Sequence, residues 1–311
     1  MSAIAVGAKP RLGFLGLGWI GRARLEAVAP LVEVAAVADP AVPGALGSLE
    51  ELLAMEPDGL VVATPSALHA EQAIAALEAG VPVFCQKPLG RDAAEAAAVV
   101  EAARRADRLL GVDLCYRHTA AARALRAELP ALGEVYAADL AFHNAYGPDK
   151  PWFYDRELAG GGCLLDLGIH LVDLVLWLLG GEVVEVEGRV LHRGGHDVED
   201  YAVARLRLST GAVVSLACSW NLPVGADCVI EASLYGSRGG ARLRNVGGSF
   251  YDLRAERLRG TAAESLAEPP DDWGGRALAD WIARLRGGFD PDIERVVEAH
   301  RVVDRIYEAA A

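Results

Sequence analysis

The chain has 311 residues, 52% hydrophobic and 23% charged, with a formal net charge of −13. That length is ample for two domains with sizeable cores, and the composition shows no extended disorder. The acidic balance and the lack of any run of Lys and Arg argue against a nucleic-acid partner, since phosphate binding needs a clustered basic surface.

The first ten residues, "MSAIAVGAKP", lack a charged n-region and a proper h-region and read as a frayed terminus before a strand. "RLGFLGLGWIGRARLEAVA" then gives a short apolar strand, Gly16, Gly18 and Gly21 in G-x-G-x-x-G order, and a helix. Glycines at those positions permit a tight turn, backbone approach to a pyrophosphate and close helix packing, while the N–H groups of the helix start bind phosphate. "VEVAAVAD" supplies a second strand ending in Asp39, where a carboxylate accepts hydrogen bonds from the adenine ribose. Strands and helices keep alternating through "DGLVVAT", "SALHAEQAIAALEAG", "VPVFCQ" and "DAAEAAAVVEAARRA", which predicts a parallel sheet covered by helices. Ligands bind such a sheet beyond the carboxyl ends of its strands, which puts Thr64-Pro65-Ser66 and Gln86-Lys87-Pro88 beside the cofactor.

From about residue 119 the pattern changes. A helical "TAAARALRAEL" precedes "EVYAADLAFHN" and the long loop "AYGPDKPWFYDREL". Next, "GGGCLLDLGIHLVD" carries Asp166, His170 and Asp173 on one stripe of a very apolar helix, which is either a solvated face or the wall of a cleft. The three glycines before it allow close approach by a ligand or by another backbone. "EVVEVEGRVLH", "DYAVARLRLS", "GAVVSLACSW" and "CVIEASLYG" suit antiparallel strands, and two helices near 275–286 and 291–309 close the chain. The expectation is an α/β chain with a Rossmann domain over 1–118 and an α+β domain over 119–311, the latter with a large, mostly antiparallel open sheet.

Five cysteines stand without a C-x-x-C pair and seven histidines without H-x-x-x-H or H-E-x-x-H spacing, so no metal site is expected. The apolar runs are broken by Asp173 or by glycines short of a bilayer span, so the expectation is a cytoplasmic protein with no membrane partner.

Taken in order, "GLGWIG", "VADP", "ATPSALHAEQAIAALEAG", "QKP", "GGGCLLDLGIH" and "HDVEDYAVARLRLSTG" resemble the Gfo/Idh/MocA oxidoreductases over nearly the whole chain. The resemblance implies NAD(H) or NADP(H) as cofactor, held by Gly16, Gly18, Trp19, Ile20, Gly21, Asp39, Thr64, Pro65, Ser66, His69, Gln86 and Lys87. It implies hydride transfer at a secondary alcohol or ketone of a sugar, cyclitol or polyol, with Lys87, Asp166 and His170 as the catalytic set. An imidazole is matched to taking a hydroxyl proton at neutral pH, Asp166 would orient it, and an ammonium offsets charge as alkoxide develops. The resemblance implies Tyr116, Arg117, His143 and Asn144 as further substrate contacts and a homodimer or homotetramer through the second domain's sheet, while Trp152 and Tyr154 either line the same cleft as an aromatic platform for a sugar ring or anchor their loop. Asp39 followed by Pro40 favours NAD(H), with Arg22 the cation that would reach a 2′-phosphate. Two departures stand out: Gln86 replaces the family's usual Glu, and the stretch from Asp39 to Leu60 is short. An NAD-dependent glycosidase using transient oxidation and a non-catalytic dinucleotide sensor remain the alternative activities.

Overall fold

The computed structural model describes residues 9–311, so most of the expected frayed terminus lies outside the described residues. The chain divides into two compact units, one running to Leu114 and including Gly274–Val297, the other comprising Cys115–Trp273 and Glu298–Ala311.

In the first unit β1 (Arg11–Leu15), β2 (Glu33–Ala38), β3 (Gly59–Val62), β4 (Val83–Cys85) and β5 (Leu110–Val112) form a parallel sheet in the order β2-β1-β3-β4-β5. Its crossovers carry α1 (Trp19–Val28), α2 (Leu49–Leu53), α3 (Ser66–Glu78) and α4 (Ala93–Ala106). Every residue of β3 is buried, as expected of a central parallel strand with helices on both faces. The short stretch after Asp39 keeps one helix of five residues, and Leu46 returns to bridge Ala38. The Asp92 side chain caps α4 by accepting from the Glu95 N–H at 2.8 Å, while the Glu95 carboxylate turns to the Arg91 N–H.

Against the single boundary expected after residue 118, the chain crosses between the units three times, after Leu114, Trp273 and Val297. The segment Gly274–Val297 folds with the first unit because its apolar side chains complete that core: Trp281 packs on Phe84 with ring centroids 5.8 Å apart and joins Leu12, Phe14 and Leu278. Gly111 makes room, since a Cβ there would stand 2.7 Å from the Trp281 ring.

The second unit contains α5 (Ala120–Leu132), β6 (Val135–Asn144), α6 (Arg156–Ala159), a π-helical turn over Leu164–Gly168 and α7 (Ile169–Leu179). Then come β7 (Val183–Leu191), β8 (Tyr201–Leu208), β9 (Val213–Ser219), β10 (Cys228–Gly236), β11 (Gly239–Asn245), β12 (Leu253–Arg259) and β13 (Ala262–Ala267). After these strands lie α8 (Arg276–Ala283) of the first unit and α9 (Glu294–Ala310), whose last turns belong to the second.

The eight strands run β13-β12-β11-β10-β6-β9-β8-β7, antiparallel except where β6 lies parallel to β9. Alternation sets the faces: Ala202, Ala204, Leu206 and Leu208 of β8 are buried, whereas Val203 is exposed on the opposite face. On the buried side, β6, β8, β9 and β10 share one core with α5, α7 and the later turns of α9. The run Arg156–Leu179 has the length and apolarity of a bilayer span, yet 83% of its most apolar window is buried inside the unit. Its hydrophobicity serves the core. All five cysteines are buried and unbridged.

Candidate active site

In the first unit the G-x-G-x-x-G segment adopts the turn its spacing requires. Gly16 has φ +90°, and a Cβ there would lie 2.6 Å from the Ala63 carbonyl oxygen. A Cβ at Gly21 would lie 2.2 Å from the Gly16 oxygen, so both positions are closed to a side chain. Helix α1 starts at Trp19 with no side-chain cap at Gly18, an arrangement whose first N–H groups could hold a phosphate. Trp19 is 68% exposed and Ile20 half-buried. Asp39 Oδ2 accepts from the Leu17 N–H at 2.7 Å and Oδ1 from the Ala41 N–H at 2.9 Å, which fixes its carboxylate at the end of β2. Arg22 donates through Nε to the Leu17 carbonyl at 2.9 Å. These residues fit the ribose and pyrophosphate of a dinucleotide.

Two strand ends contribute the next group. Thr64, Pro65 and Ser66 lead from β3 into α3, and the Thr64 hydroxyl donates to Gln72 Oε1 at 2.6 Å. The His69 ring is 2% exposed, with Nδ1 2.7 Å from the Pro88 oxygen and Nε2 2.8 Å from the Thr64 oxygen. It therefore ties the loop after β3 to the loop after β4. Burial, above all, holds its imidazole below the ordinary range. Lys87 follows β4 and is half-buried.

Gln86 is explained by a residue the sequence did not single out. Its Nε2 donates to Asp113 Oδ2, and Arg24 Nε donates to the same oxygen at 2.6 Å. Asp113 and Arg24 are 1% and 8% exposed. One guanidinium meets one carboxylate there, and a neutral amide supplies the second donor; a Glu at 86 would instead present a carboxylate to Asp113.

The second unit holds the acid and the imidazole. Asp166 sits within the π-helical turn and His170 at the start of α7, where His170 is 7% exposed and Asp173 2%. The stripe is thus no solvated face. Such turns recur at functional sites because they re-aim side chains within a helix. Asp166 Oδ2 accepts from Trp220 Nε1 at 3.1 Å, and Trp220 itself is 1% exposed. The His170 ring packs edge-on against Tyr116 at 5.0 Å and lies 6.3 Å from Phe142. Tyr116 also meets Phe142 and Trp273, and burial pushes its hydroxyl well above its ordinary range.

The other expected substrate contacts separate into two groups. Phe142 and Asn144 alternate with His143 along β6, so Asn144 falls on the face that Phe142 shares with His170; its buried Oδ1 has no partner among the described residues. His143 stands apart from them. Period-two alternation puts it on the opposite face of the sheet, with Nδ1 2.8 Å from Ser219 Oγ and the ring stacked toward Tyr201. Arg117 is held by Asp173, with Nε 2.6 Å from Oδ2 and a second contact from NH2 to Oδ1. The Tyr154 hydroxyl donates to the Pro148 carbonyl at 2.9 Å, and its ring meets Trp220 and His196, so it anchors its own loop. Trp152 stacks on Phe153 at 3.8 Å. Trp220 was missed in the sequence because a Trp at the end of an apolar strand reads as core.

Comparison with known proteins fits this division. Residues 10–114 match an oxidoreductase family described as an NAD-binding Rossmann fold, and residues 120–242 match the GFO/IDH/MocA C-terminal domain. The 1,5-anhydro-D-fructose reductase of Ensifer adhaerens is 33% identical over 253 residues, 78% of this chain and 74% of that protein. A protein of Amycolatopsis mediterranei provisionally named a UDP-kanosamine synthase oxidoreductase subunit is 36% identical over 272 residues, 75% of each chain. Among solved structures, GenD2 from gentamicin A biosynthesis in complex with NAD superposes with a TM-score of 0.83 at 25% identity, covering 99% of this chain and 95% of that one. The chain belongs to the GFO/IDH/MocA family of NAD-binding oxidoreductases.

Proposed function

We propose that this oxidoreductase interconverts a secondary alcohol and a ketone on a sugar, cyclitol or related polyol, with NAD(H) preferred over NADP(H). The observation that carries the reading is the pairing, one helical turn apart, of an Asp166 carboxylate fixed by Trp220 and a nearly buried His170. When bound, the nicotinamide accepts or returns hydride. His170 takes the hydroxyl proton in oxidation and returns it in reduction, a role suited to an imidazole near neutral pH. Asp166 orients the ring or the substrate hydroxyl. The Lys87 ammonium offsets negative charge on the reacting oxygen. Tyr116 packs the inner edge of the imidazole, which restricts its rotation. At the adenine end, the Asp39 carboxylate disfavours a 2′-phosphate.

The open face of the second unit's sheet, with small Ser215 and Ala217 beside exposed Val203 and Val213, suits pairing with a second copy of the chain. Sedimentation of a monomer at micromolar concentration would remove that part of the proposal. The chemistry is tested by a panel of sugars, cyclitols and polyols assayed for NADH absorbance at alkaline pH. Substrate-dependent reduction of NAD+ supports the reading. Turnover of glycosides with no net change in NADH would replace it with transient oxidation, and tighter calorimetric binding of NADPH than of NADH would overturn the cofactor preference.

A further inference from the structure

Glu199, just before β8, has no exposed surface. Its Oε1 accepts from the Leu164 N–H at 2.8 Å and from the Tyr307 hydroxyl at 2.9 Å, and its Oε2 accepts from the Gly162 N–H at 3.1 Å. The Cys163 N–H donates to the Glu199 backbone carbonyl at 3.0 Å. Three consecutive backbone donors at the entry to the π-helical turn thus end on one residue. The glycines before that turn make room for this arrangement. A Cβ at Gly162 would stand 1.9 Å from the Glu199 oxygen, and one at Gly161 would stand 2.2 Å from the Tyr307 hydroxyl.

What Glu199 holds is the start of the segment that carries the acid and the imidazole. The Asp166 N–H donates to the Gly162 carbonyl at 3.0 Å. The next residue along from Glu199 reaches the same side chain by another route: the Asp200 carbonyl accepts from the Trp220 N–H at 2.9 Å, and the Trp220 indole donates to Asp166. Main chain and carboxylate of Asp166 are therefore both referred to the dipeptide Glu199-Asp200. Asp200 is itself tied down, accepting from the Arg193 and Gly194 N–H groups at 3.0 and 2.8 Å.

We propose that Glu199 is a positioning residue for Asp166 and His170, its carboxylate clamping the N-terminal entry to their helix through Gly162 and Leu164. The proposal rests on the reading that Asp166 and His170 carry the chemistry. A carboxylate is needed because both of its oxygens face donors. Glutamine at 199 would set an NH2 group against either the Gly162 N–H or the Leu164 and Tyr307 donors, so the clamp opens on one side without a change in volume.

The test uses the full-length enzyme with NAD+ and myo-inositol or D-glucose as probe, whichever turns over faster, and compares Glu199→Gln, Tyr307→Phe, His170→Ala and the double variant Glu199→Gln/His170→Ala. Glu199→Gln is expected to lower kcat at least 10-fold with the Kd for NADH changed less than 2-fold, and Tyr307→Phe to lower it about 3-fold to 10-fold. In the His170→Ala background the Glu199→Gln loss should largely vanish, because a residue acting through His170 has nothing left to position. Amide exchange over residues 160–170 should speed up in both single variants, a readout that needs no substrate. A folded Glu199→Gln enzyme with wild-type kcat, an undiminished loss in the His170→Ala background, or unchanged exchange over 160–170 each overturns the proposal. Should Glu199→Gln fail to accumulate, the same criteria are applied to Tyr307→Phe. Wild-type turnover by His170→Ala would overturn the reading of the site itself, which a failure of Glu199→Gln alone would not.

Discussion

The glycine-rich turn of the first unit and the π-helical turn of the second both stand at the head of a helix, but they use the chain in opposite ways. Around Gly16 and Gly21 the working parts are backbone atoms, the neighbouring carbonyls leave no space for a side chain, and no side chain caps α1. Around Leu164–Gly168 the proposed function falls to side chains, and the backbone donors at the helix start are consumed internally by Glu199. A helix start can thus be left open to bind an anion from solution, or be filled by an anion of the chain so that side chains one turn later are held still.

The comparison is broken most directly at His170. If the second helix works through its side chains, His170→Ala should cost roughly 100-fold to 10,000-fold in kcat/KM while NADH affinity stays within about 2-fold. Steady-state kinetics with a parallel fluorescence titration of NADH decide it. A comparable loss of NADH binding would mean that the two helices share one task.

Next in size is the buried Arg24–Asp113 pair of the first unit. Removing one partner of a buried ion pair typically costs about 3–5 kcal/mol, and Asp113→Ala takes away the oxygen that receives both Arg24 and Gln86. A loss of that order in urea unfolding is expected, with Gln86→Glu also destabilising because it sets carboxylate against carboxylate. A Gln86→Glu variant as stable as wild type would show that the amide is not required by Asp113.

Much of the first unit was legible because its function is written in local constraints. Glycine spacing, a strand ending in Asp39 and apolar runs of regular length all act over a few residues. The second unit was legible only in part. β7 to β10 announced themselves by alternating apolar residues, whereas β11 and β12, with "GGARLRN" and "LRAERLR", carry too many charges to read as strands, and β13, "AAESLA", has too few large apolar residues. Those charges are satisfied across the sheet and on α5: Arg242 and Arg244 meet Glu256, and Arg257 meets Glu128. The face of His143 was not legible for a related reason. A motif names a residue, but its face is set by register, and β6 pairs parallel with β9 in the middle of an otherwise antiparallel sheet. Glu199 lies 37 residues from Gly162 and Asp113 lies 27 from Gln86, separations at which sequence spacing carries no signal.

A smaller effect sharpens the nucleotide side. Because both Asp39 oxygens are held by backbone N–H groups, its charge cannot swing away from a 2′-phosphate. Asp39→Ser should weaken discrimination between NADH and NADPH by about 10-fold, roughly 1.4 kcal/mol, chiefly by improving NADPH binding. Calorimetric titration of both cofactors measures it. Unchanged discrimination would move the selectivity to another residue.

The smallest effect concerns stability rather than rate, and it separates holding a helix for function from merely holding it. Burial raises the Glu199 carboxyl above its ordinary value, while the Leu164 N–H, its own N–H, Tyr307 and the Gly162 N–H pull it part of the way back. A raised carboxyl binds its proton more tightly in the folded chain than in the unfolded one. Its contribution to stability is therefore fully present below the unfolded value of about 4.3 and is lost as pH rises through the folded value, by about 1.4 kcal/mol for each unit of the rise. Glutamine has no proton to lose. The melting temperature of wild type relative to Glu199→Gln should consequently be highest near pH 4 and decline toward neutrality, on top of a pH-independent cost to the variant from the donors its NH2 group leaves unpaired, while the variant turns over at least 10-fold more slowly. A buried carboxyl whose ionisation costs stability is what a positioning role allows, since sites of function are where chains give up stability for geometry. If wild type instead gains on Glu199→Gln as pH rises, the charged clamp is a stabilising feature of the fold, and the contrast between an open and a filled helix start loses its functional meaning.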